Sequence, residues 1–329
     1  MHLITYQTMK KESPNGQSSK DKGAQKTVTN KTIGPASDLE QHLQPDWWKR
    51  IFNSMYLKTD SDVVDDSQIT KTEVDLFQQI LNVQDGNTLL DLACGQGRHL
   101  LEFNTRGNFN LFGLDRSRYL IQRAKNLSKK KGIAINFKEG DARKLPYPTD
   151  TFDFVTNLGN SFGYFETLDD DTKILKEIFR VLKPGGILLM EIADGDYLRK
   201  SYQPRSWEWI DKKHFVCRER TMASDNQRLI SREVITNTEK GVIVDQFYAE
   251  RLYAKEDLVE LLKDVNFKDV TFHGNISSES QRNQDLGMME NRFLLTARSI
   301  KEWTPKKIKK DVKNVVVIMG DPSLKDIIK

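Results

Sequence analysis

The residues best suited to chemistry form a glycine-rich turn, Asp91-Leu92-Ala93-Cys94-Gly95-Gln96-Gly97, between an apolar run and a helix-like segment that begins at Arg98. Small residues in such a turn let the backbone approach a ligand closely, and the first N–H groups of the helix can bind its polar groups. An aspartate at the strand end would repel a pyrophosphate, whereas it suits a ligand that presents an ammonium group. The turn therefore predicts a site for a polar, cationic ligand.

Two further carboxylates follow at the ends of later apolar runs. Asp115 ends the second run, 18 residues after Gly97, close to the roughly 20 expected between a glycine turn and an acid that holds ribose hydroxyls. Asp141 closes the third run, where it can accept a hydrogen bond from an adenine amino group. Either acid alone could be a helix or turn cap. Their order along the chain instead favours a nucleoside-binding crevice at the carboxyl ends of the strands.

Alternating segments after Gly86 predict the scaffold for this crevice, because short apolar runs separated by longer amphipathic ones indicate βαβ units around a parallel sheet. The predicted strands are 88–92, 110–115, 133–139, 152–157 and 186–193, and the predicted helices between them are 98–105, 117–131 and 169–182. Helical patterns also run from Trp47 to Tyr56 and from Thr70 to Val83.

Beyond Asp194 the pattern changes to alternation of apolar and polar residues, which predicts antiparallel strands at 207–210, 215–222, 228–236 and 242–252. A helix over 254–265 and an antiparallel hairpin of strands 269–273 and 291–299 complete the chain of elements. The predicted fold class is α/β, a doubly wound Rossmann-like seven-stranded sheet with an antiparallel last strand. Residues 195–252 form a β-stranded insertion, called the lid below.

The predicted domain boundaries are a disordered segment over 1–45, the folded domain over 46–299, and a basic linker with an isolated strand over 300–329. The last strand either pads the edge of this domain or opens a further one. The formal charge of +4 is accounted for between Lys301 and Lys313, where six lysines face Glu302 and Asp311. The rest of the chain is balanced, which argues against a broad nucleic-acid-binding face.

Composition also bears on location. Cys94 and Cys217 are too few and too far apart for a disulfide framework or a metal site, which suits a reducing compartment. The sequence holds no apolar stretch of about 18 residues to span a bilayer, and its start lacks the apolar core of a secretory signal. These features predict a cytoplasmic location, with no membrane partner.

Residues from about 47 to 299 resemble the class I S-adenosylmethionine-dependent methyltransferase family, of the small-molecule type with a β-stranded lid. The resemblance lies in DLACGQG (91–97), GLDRS (113–117), EGDARKLPYP (139–148), FDFVTNLGNSFGYF (152–165) and RVLKPGGILLME (180–191), in this order and spacing. It implies S-adenosyl-L-methionine as the cofactor, with contacts to its methionine part from Asp91, Ala93, Gly95 and Gly97, and with Cys94 in the same turn. It further implies that Asp115 binds the ribose, that Asp141 and Ala142 flank the adenine, and that Asn157 lies below the sulfonium.

One departure concerns Arg116, which stands where the family often places an apolar residue against the adenine and which would have to stack its guanidinium plane instead. Methyl transfer from a sulfonium requires mainly an in-line arrangement, and a base is needed only for a protonated nucleophile. Tyr164, His214 and Glu208 are the candidate catalytic residues because they should face the mouth of the crevice. The lid residues Trp207, Trp209, Phe215 and Tyr248 could be core or part of an aromatic pocket.

The sequence thus predicts methyl transfer to a small-molecule acceptor. Two other readings stay open: a module that binds the cofactor without catalysis inside a larger protein, and a nicotinamide-dependent oxidoreductase. The second is disfavoured because Leu100 replaces the third glycine of a G-x-G-x-x-G fingerprint. Asn157-Leu158-Gly159-Asn160 replaces the N/D-P-P-Y/F motif that amino-methyltransferases of nucleic acids commonly carry, which again disfavours a nucleic acid partner.

Overall fold

The computed structural model describes residues 32–277 and 287–301, and its strands fall into two separate sheets. The strands are β1 (Thr88–Leu92), β2 (Asn110–Asp115), β3 (Asn136–Glu139), β4 (Phe152–Asn157), β5 (Leu182–Ala193), β6 (Arg205–Asp211), β7 (His214–Met222), β8 (Arg228–Asn237), β9 (Gly241–Arg251), β10 (Phe267–Ser277) and β11 (Asn291–Ser299). The helices are α1 (Ser54–Thr59), α2 (Ser61–Val64), α3 (Ser67–Leu81), α4 (Arg98–Phe103), α5 (Arg118–Lys130), α6 (Leu168–Val181), α7 (Gly195–Ser201) and α8 (Lys255–Asp264), with 3-10 turns at Glu40–His42, Trp47–Lys49 and Gly287–Met289.

The central sheet has the order β10-β11-β5-β4-β1-β2-β3. Strands β1 to β5 pair in parallel, whereas β11 pairs antiparallel with both β5 and β10. Apolar side chains of this sheet pack into two clusters, one containing α6 and α8 and the other containing α3, α4 and α5. The predicted doubly wound fold with an antiparallel last strand is confirmed, and the order places the carboxyl ends of β1, β2 and β4 side by side.

Four strands of the lid form the second sheet, in the order β6-β7-β8-β9, all antiparallel. The predicted antiparallel insertion is therefore confirmed. The sequence did not predict α7, a seven-residue helix that begins the lid after Asp194 caps it by accepting a hydrogen bond from the Tyr197 N–H at 3.0 Å. The helix is short and has few apolar residues, so its sequence shows little helical periodicity, which explains why it was not predicted.

Residues 32–45 differ from the predicted disordered segment. Arg232 donates to the Gly34 carbonyl at 2.7 Å, the Glu40 carboxylate accepts from Ser224 N and Arg228, and Leu39 packs against Ile230 and Ala249. This stretch therefore covers the outer face of the lid, with contacts that a local pattern does not reveal. The remainder of the predicted disordered segment, 1–31, lies outside the described residues.

The predicted C-terminal linker begins with a residue that is tied to the core. Lys301 Nζ lies 2.7 Å from Asp150 Oδ1 and 3.0 Å from the Arg180 carbonyl oxygen. The linker and isolated strand predicted beyond it, at 302–329, fall outside the described residues. No helix in the described ranges combines the length and the apolar character needed to cross a membrane.

Candidate functional site

A cavity of about 260 Å³ lies where the carboxyl ends of β1, β2 and β4 meet the inner face of the lid. One half is lined by the sheet ends, with the predicted residues Asp91, Ala93, Cys94, Gly95, Asp115, Arg116, Asp141, Ala142 and Asn157. The other half is lined by residues 47–64, the loop after β4 and the lid. Nine of the ten predicted cofactor-binding residues therefore line one cavity, and Gly97 is the exception.

The turn after β1 is shaped by three residues in the left-handed region, with φ of 60° at Ala93, 55° at Gly95 and 78° at Gly97. Gly97 is the N-cap of α4, and a Cβ there would lie 2.7 Å from the Phe137 ring. Gly97 thus serves the close packing of α4 on β3 rather than the cavity wall. The sequence placed it with the ligand contacts because both roles call for glycine.

Two carboxylates stand at the ends of adjacent strands. Asp91 is 2% exposed; its Oδ1 accepts from Thr156 Oγ1 at 2.9 Å, and its Oδ2 has no hydrogen-bond partner among the described residues. Burial raises its pKa. Asp115 accepts from the N–H groups of Gly95 at 2.8 Å and Ser117 at 2.7 Å, yet burial still raises its pKa to about 6. Both acids are held rigidly, and each oxygen retains acceptor capacity toward the cavity.

A further carboxylate, Asp141, follows β3, and a side-chain amide, Asn157, ends β4. Asp141 is paired with Arg143, whose Nη2 lies 2.8 Å from Oδ2; although burial raises the pKa of Asp141, these hydrogen bonds lower it overall. Asn157 donates from Nδ2 to the Leu92 carbonyl at 3.1 Å, which leaves its buried Oδ1 without a partner in the described residues. Asp91 and Asn157 therefore each offer one unused oxygen to the same space.

Arg116 lies at the rim of the cavity. Its Nη1 is 3.4 Å from Glu139 Oε1, and its guanidinium lies 6.0 Å from the centroid of the Trp48 ring. The side chain is 43% exposed. The structure thus places Arg116 beside an aromatic ring that itself lines the cavity, which provides an apolar surface that the sequence motif lacks.

Residues 47–64, called the cover below, line the cavity opposite the sheet ends. Ser117 Oγ donates to the Phe52 carbonyl at 2.6 Å, and Gln96 Nε2 donates to the Val64 carbonyl at 3.0 Å. The cover is therefore anchored to the turn after β1 and to the first residues of α5. The sequence pattern predicted only a helical start of the fold in this stretch, although its density of aromatic residues could have indicated that it lines a ligand site.

Helix α4 is locked behind the turn by Glu73 of α3. Glu73 Oε2 bonds to Arg98 and lies 3.1 Å from His99 Nε2, and all three side chains are at most 13% exposed. Burial alone would raise the pKa of Glu73, but the hydrogen bonds and charges of His99 and Arg98 lower it to about 2. This ion cluster fixes the helix N-terminus that faces the cavity.

The inner face of the lid is polar. Arg218 on β7 pairs in register with Glu233 on β8, and Glu233 pairs with Gln246 on β9. Arg218 Nη1 lies 2.6 Å from Glu208 Oε1 and its Nε 3.4 Å from Glu233 Oε1, while Gln246 Nε2 donates to Glu233 at 2.7 Å. The row is a satisfied network of buried charges.

The next positions on these strands, Arg220, Tyr248 and Glu250, complete the lid wall of the cavity. Glu250 is 8% exposed, and its Oε2 has no hydrogen-bond partner among the described residues. Burial raises the pKa of Glu250 to about 8, with Asp60 adding to the rise and Arg220 opposing it. Sequence reasoning missed Glu250, although polar residues at 246, 248 and 250 share one strand face, and that period was the available signal.

Five aromatic residues of the cavity wall form one connected group, called the aromatic cluster: Trp47, Phe52, Tyr56, Tyr164 and Tyr248. Tyr164 stacks on Phe52 with centroids 5.6 Å apart and meets Trp47 edge-on at 5.5 Å. Tyr248 lies 5.9 Å from Trp47. Burial raises the pKa of Tyr164 well above its usual value, and Glu250 is the first of the charges that add to the rise. The aromatic cluster and Glu250 therefore share one space.

The three predicted catalytic residues have different surroundings. Tyr164 lies in the cavity wall, whereas Glu208 is engaged with Arg218 behind it. His214 lies at the β6–β7 turn, where its Nδ1 is 2.8 Å from Lys58 Nζ and 2.9 Å from Asp211 Oδ1, and its Nε2 is 2.9 Å from Asn237 Nδ2. Contrary to the prediction, neither Glu208 nor His214 is among the residues that line the cavity. Glu208 shares the strand face of Arg218 but is engaged in its ion pair with that residue, and His214 lies at the β6–β7 turn.

The aromatic residues of the lid also differ in their surroundings. Tyr248 lines the cavity, whereas Trp207 and Trp209 on β6 are 68% and 49% exposed. Both predicted roles for these two tryptophans, core and pocket, are therefore wrong. Edge strand β6 has no further strand beside it in this sheet, so its outward positions reach solvent. Within the described residues no group of His, Cys, Asp and Glu is arranged to hold a metal ion.

Comparisons with known proteins agree with this geometry. Residues 89–186 match the methyltransferase domain family. The chain is 33% identical over 212 residues to a demethylmenaquinone methyltransferase of Oceanobacillus iheyensis, which covers 56% of this chain and 84% of that protein. It is 35% identical over 107 residues to a sterol 24-C-methyltransferase of Pneumocystis carinii, covering 32% of this chain and 27% of that protein.

The chain thus spans only about a quarter of the sterol enzyme's length. Among solved structures, a S-adenosylmethionine-dependent methyltransferase from Clostridium acetobutylicum superposes with a TM-score of 0.59 at 20% identity, covering 75% of this chain and 97% of that one. At this level of identity the likeness concerns the fold.

Proposed function

Because the chain belongs to the class I S-adenosylmethionine-dependent methyltransferase family, we propose that it transfers the methyl group of S-adenosyl-L-methionine to a small-molecule acceptor held under the lid. The observation that carries the proposal is the single cavity that joins the carboxylates at the ends of β1 and β2 to a closed, polar lid face. The half of the cavity at the sheet ends suits a cationic nucleoside. The half at the lid offers a separate surface for the acceptor.

The residues present fit this cofactor. Asp91 Oδ2 and Asn157 Oδ1 are buried oxygens with no partner in the described residues, and both line the cavity. An ammonium or a sulfonium supplies the positive charge that such oxygens need. In this proposal Asp91 and the left-handed turn hold the methionine part, Asp115 accepts hydrogen bonds from the ribose hydroxyls, and Asp141 with Ala142 borders the adenine.

When bound, the cofactor supplies an electrophilic methyl group, and the chain supplies position and a dry environment. The turn after β1, fixed by Glu73 through α4, holds one partner of the reaction in place. The cover and the lid enclose the other side, so that water is excluded and the two reactants meet in one orientation. Proximity of this kind can supply a large part of the rate of a displacement reaction.

The character of the lid limits the acceptor. Its cavity face carries Arg218, Arg220, Glu233 and Glu250, which are nine-tenths buried or more. A large, purely apolar acceptor would leave the buried Glu250 Oε2, which has no hydrogen-bond partner among the described residues, without one, at a cost of a few kcal/mol. This favours a small acceptor with polar groups of its own.

The test is methyl transfer from S-adenosylmethionine with a tritiated methyl group to fractionated metabolite extracts, followed by isolation of the labelled product. The proposal expects label in a low-molecular-weight product. A folded chain that binds the cofactor but labels nothing across broad pools would instead indicate a non-catalytic binding module. Label recovered in nucleic acid would contradict the small-molecule acceptor.

A further inference from the structure

The charge balance of the lid half is negative. Among the described residues that line it, two guanidinium groups, Arg218 and Arg220, face three carboxylates, Glu233, Glu250 and Asp60. Arg218 is engaged between Glu208 and Glu233, so its charge is already compensated inside the wall. When Glu250 is ionised, Arg220 therefore faces the two carboxylates Glu250 and Asp60, and this part of the cavity favours a cation.

The aromatic cluster adds an attraction of the same sign. Ring faces carry negative potential and bind ammonium groups within about 6 Å, most strongly where water is excluded. The Trp47 ring lies 5.5 Å from the Tyr164 ring and 5.9 Å from the Tyr248 ring, measured between centroids, and all three residues line the cavity. Glu250 is positioned beside them, with Oε2 unpaired among the described residues.

We propose that this half of the cavity binds an amine, with the aromatic cluster enclosing its ammonium group and the Glu250 carboxylate acting as its counter-ion and proton acceptor. The inference rests on the proposed methyl transfer and deepens it by naming the acceptor class. No other carboxylate of the described lid wall combines contact with the cavity, an unused oxygen and aromatic neighbours.

The reaction balances with the groups present. The bound ammonium gives one proton to a Glu250 oxygen, which leaves a nitrogen lone pair. That lone pair forms the new N–C bond as the C–S bond of the cofactor breaks, and the electron pair of that bond stays on sulfur as a neutral thioether. The product is an N-methylated ammonium, and Glu250 later returns its proton to solvent when product leaves.

Groups on every side bear on the charge of Glu250. Arg220 on β7 favours its ionised form, whereas Asp60 of the cover opposes it. Tyr248 on its own strand and Tyr164 in the loop after β4 remain neutral, because burial raises the pKa of both above their usual value. The pKa of Glu250, at about 8, therefore lies near neutral pH.

The experiment uses two probes of equal shape, choline and its uncharged carbon isostere 3,3-dimethylbutan-1-ol. Each is titrated by calorimetry into the full chain saturated with S-adenosylhomocysteine. We expect choline to bind about tenfold more tightly than the alcohol, or better. We also expect choline affinity to rise between pH 6.5 and 9, since the carboxylate forms across this range while choline itself does not titrate.

The variant Glu250→Gln should lose most of the preference for choline and all of its pH dependence. Glu239→Gln is the matched control, because Glu239 is a 61% exposed lid residue paired with Lys213, and it should behave like the unchanged chain. Unchanged affinity of Glu250→Gln for S-adenosylhomocysteine shows that the variant is folded.

Equal binding of the two probes, or no binding of either, would overturn the amine proposal, and so would a pH-dependent rise that persists in Glu250→Gln. These outcomes leave the proposed methyl transfer intact as long as S-adenosylhomocysteine binds. Failure of S-adenosylhomocysteine to bind would instead remove the proposed function itself. The two failures are therefore distinguishable in one set of titrations.

Discussion

Arg251 at the end of β9 and Asp171 on α6 form a buried ion pair that joins the lid to the central domain. Arg251 Nε lies 3.2 Å from Asp171 Oδ2, and the two side chains are 5% and 0% exposed. The same guanidinium donates to the Gln227 side chain and to the Glu166 carbonyl, each at 2.8 Å. One fully engaged arginine thus ties the end of the lid to α6 and to the loop after β4.

Replacing this arginine is expected to destabilise the chain strongly. Arg251→Met leaves a buried carboxylate without its cation, which costs about 3–5 kcal/mol. Lys173→Met is the control, because Lys173 is an exposed residue that pairs with the 72% exposed Asp169, and its loss should leave the free energy of unfolding nearly unchanged. Urea unfolding of both variants measures the difference, and equal stabilities would contradict the role given to Arg251.

The glycine at position 97 is expected to tolerate no side chain. Gly97→Ala places a Cβ 2.7 Å from the Phe137 ring at a φ of +78°, so overpacking adds about 1–3 kcal/mol to the cost of the left-handed backbone. Gly132→Ala isolates the backbone cost, since Gly132 has a φ of +66° and open space around it. Thermal or urea unfolding should show the larger loss for Gly97→Ala; equal losses would mean that the contact with Phe137 relaxes freely.

Several elements were predictable because their signals are local. Strands β1, β2, β4 and β11 match the predicted ranges residue for residue, since each is an apolar run bounded by polar or turn residues. The predicted start of β3 at Ile133 is wrong: Ile133 is tied by its N–H and carbonyl to Ser128, so it closes the end of α5 and the strand begins at Asn136.

The acceptor side of the site was less predictable because its contacts are long-range. Glu250 and Trp47 are about 200 positions apart, and nothing in their own neighbourhoods indicates that they share a cavity. Alternation on the lid strands predicted which residues share a face but not which face is inner, because Arg232 makes the outer face charged and buried too.

The buried carboxyl of Glu250 predicts a pH dependence of stability. Its pKa rises from an ordinary 4.5 to about 8 on folding, so the folded state binds the extra proton. The contribution is full below pH 4.5 and is lost as pH rises through 8, at up to about 1.4 kcal/mol per pH unit. Wild type should therefore match Glu250→Gln near pH 4 and fall below it by a few kcal/mol at pH 8.5.

Urea unfolding of both chains across this pH range measures the difference. Glu239→Gln, an exposed lid substitution, should follow the wild-type curve. Parallel curves for wild type and Glu250→Gln would mean that this carboxyl is solvated in the folded chain.

The central claim is that the crevice at the ends of β1 and β2 holds a sulfonium nucleoside, and calorimetry with S-adenosylmethionine and S-adenosylhomocysteine tests it most directly. Both should bind the folded chain, and Asp115→Ala should weaken binding by about 1–3 kcal/mol through lost hydrogen bonds to a charged acceptor. Asp196→Ala, at an exposed carboxylate on α7, should bind as wild type does. Absence of binding heat for both ligands, or an Asp115→Ala variant with unchanged affinity, would contradict the account.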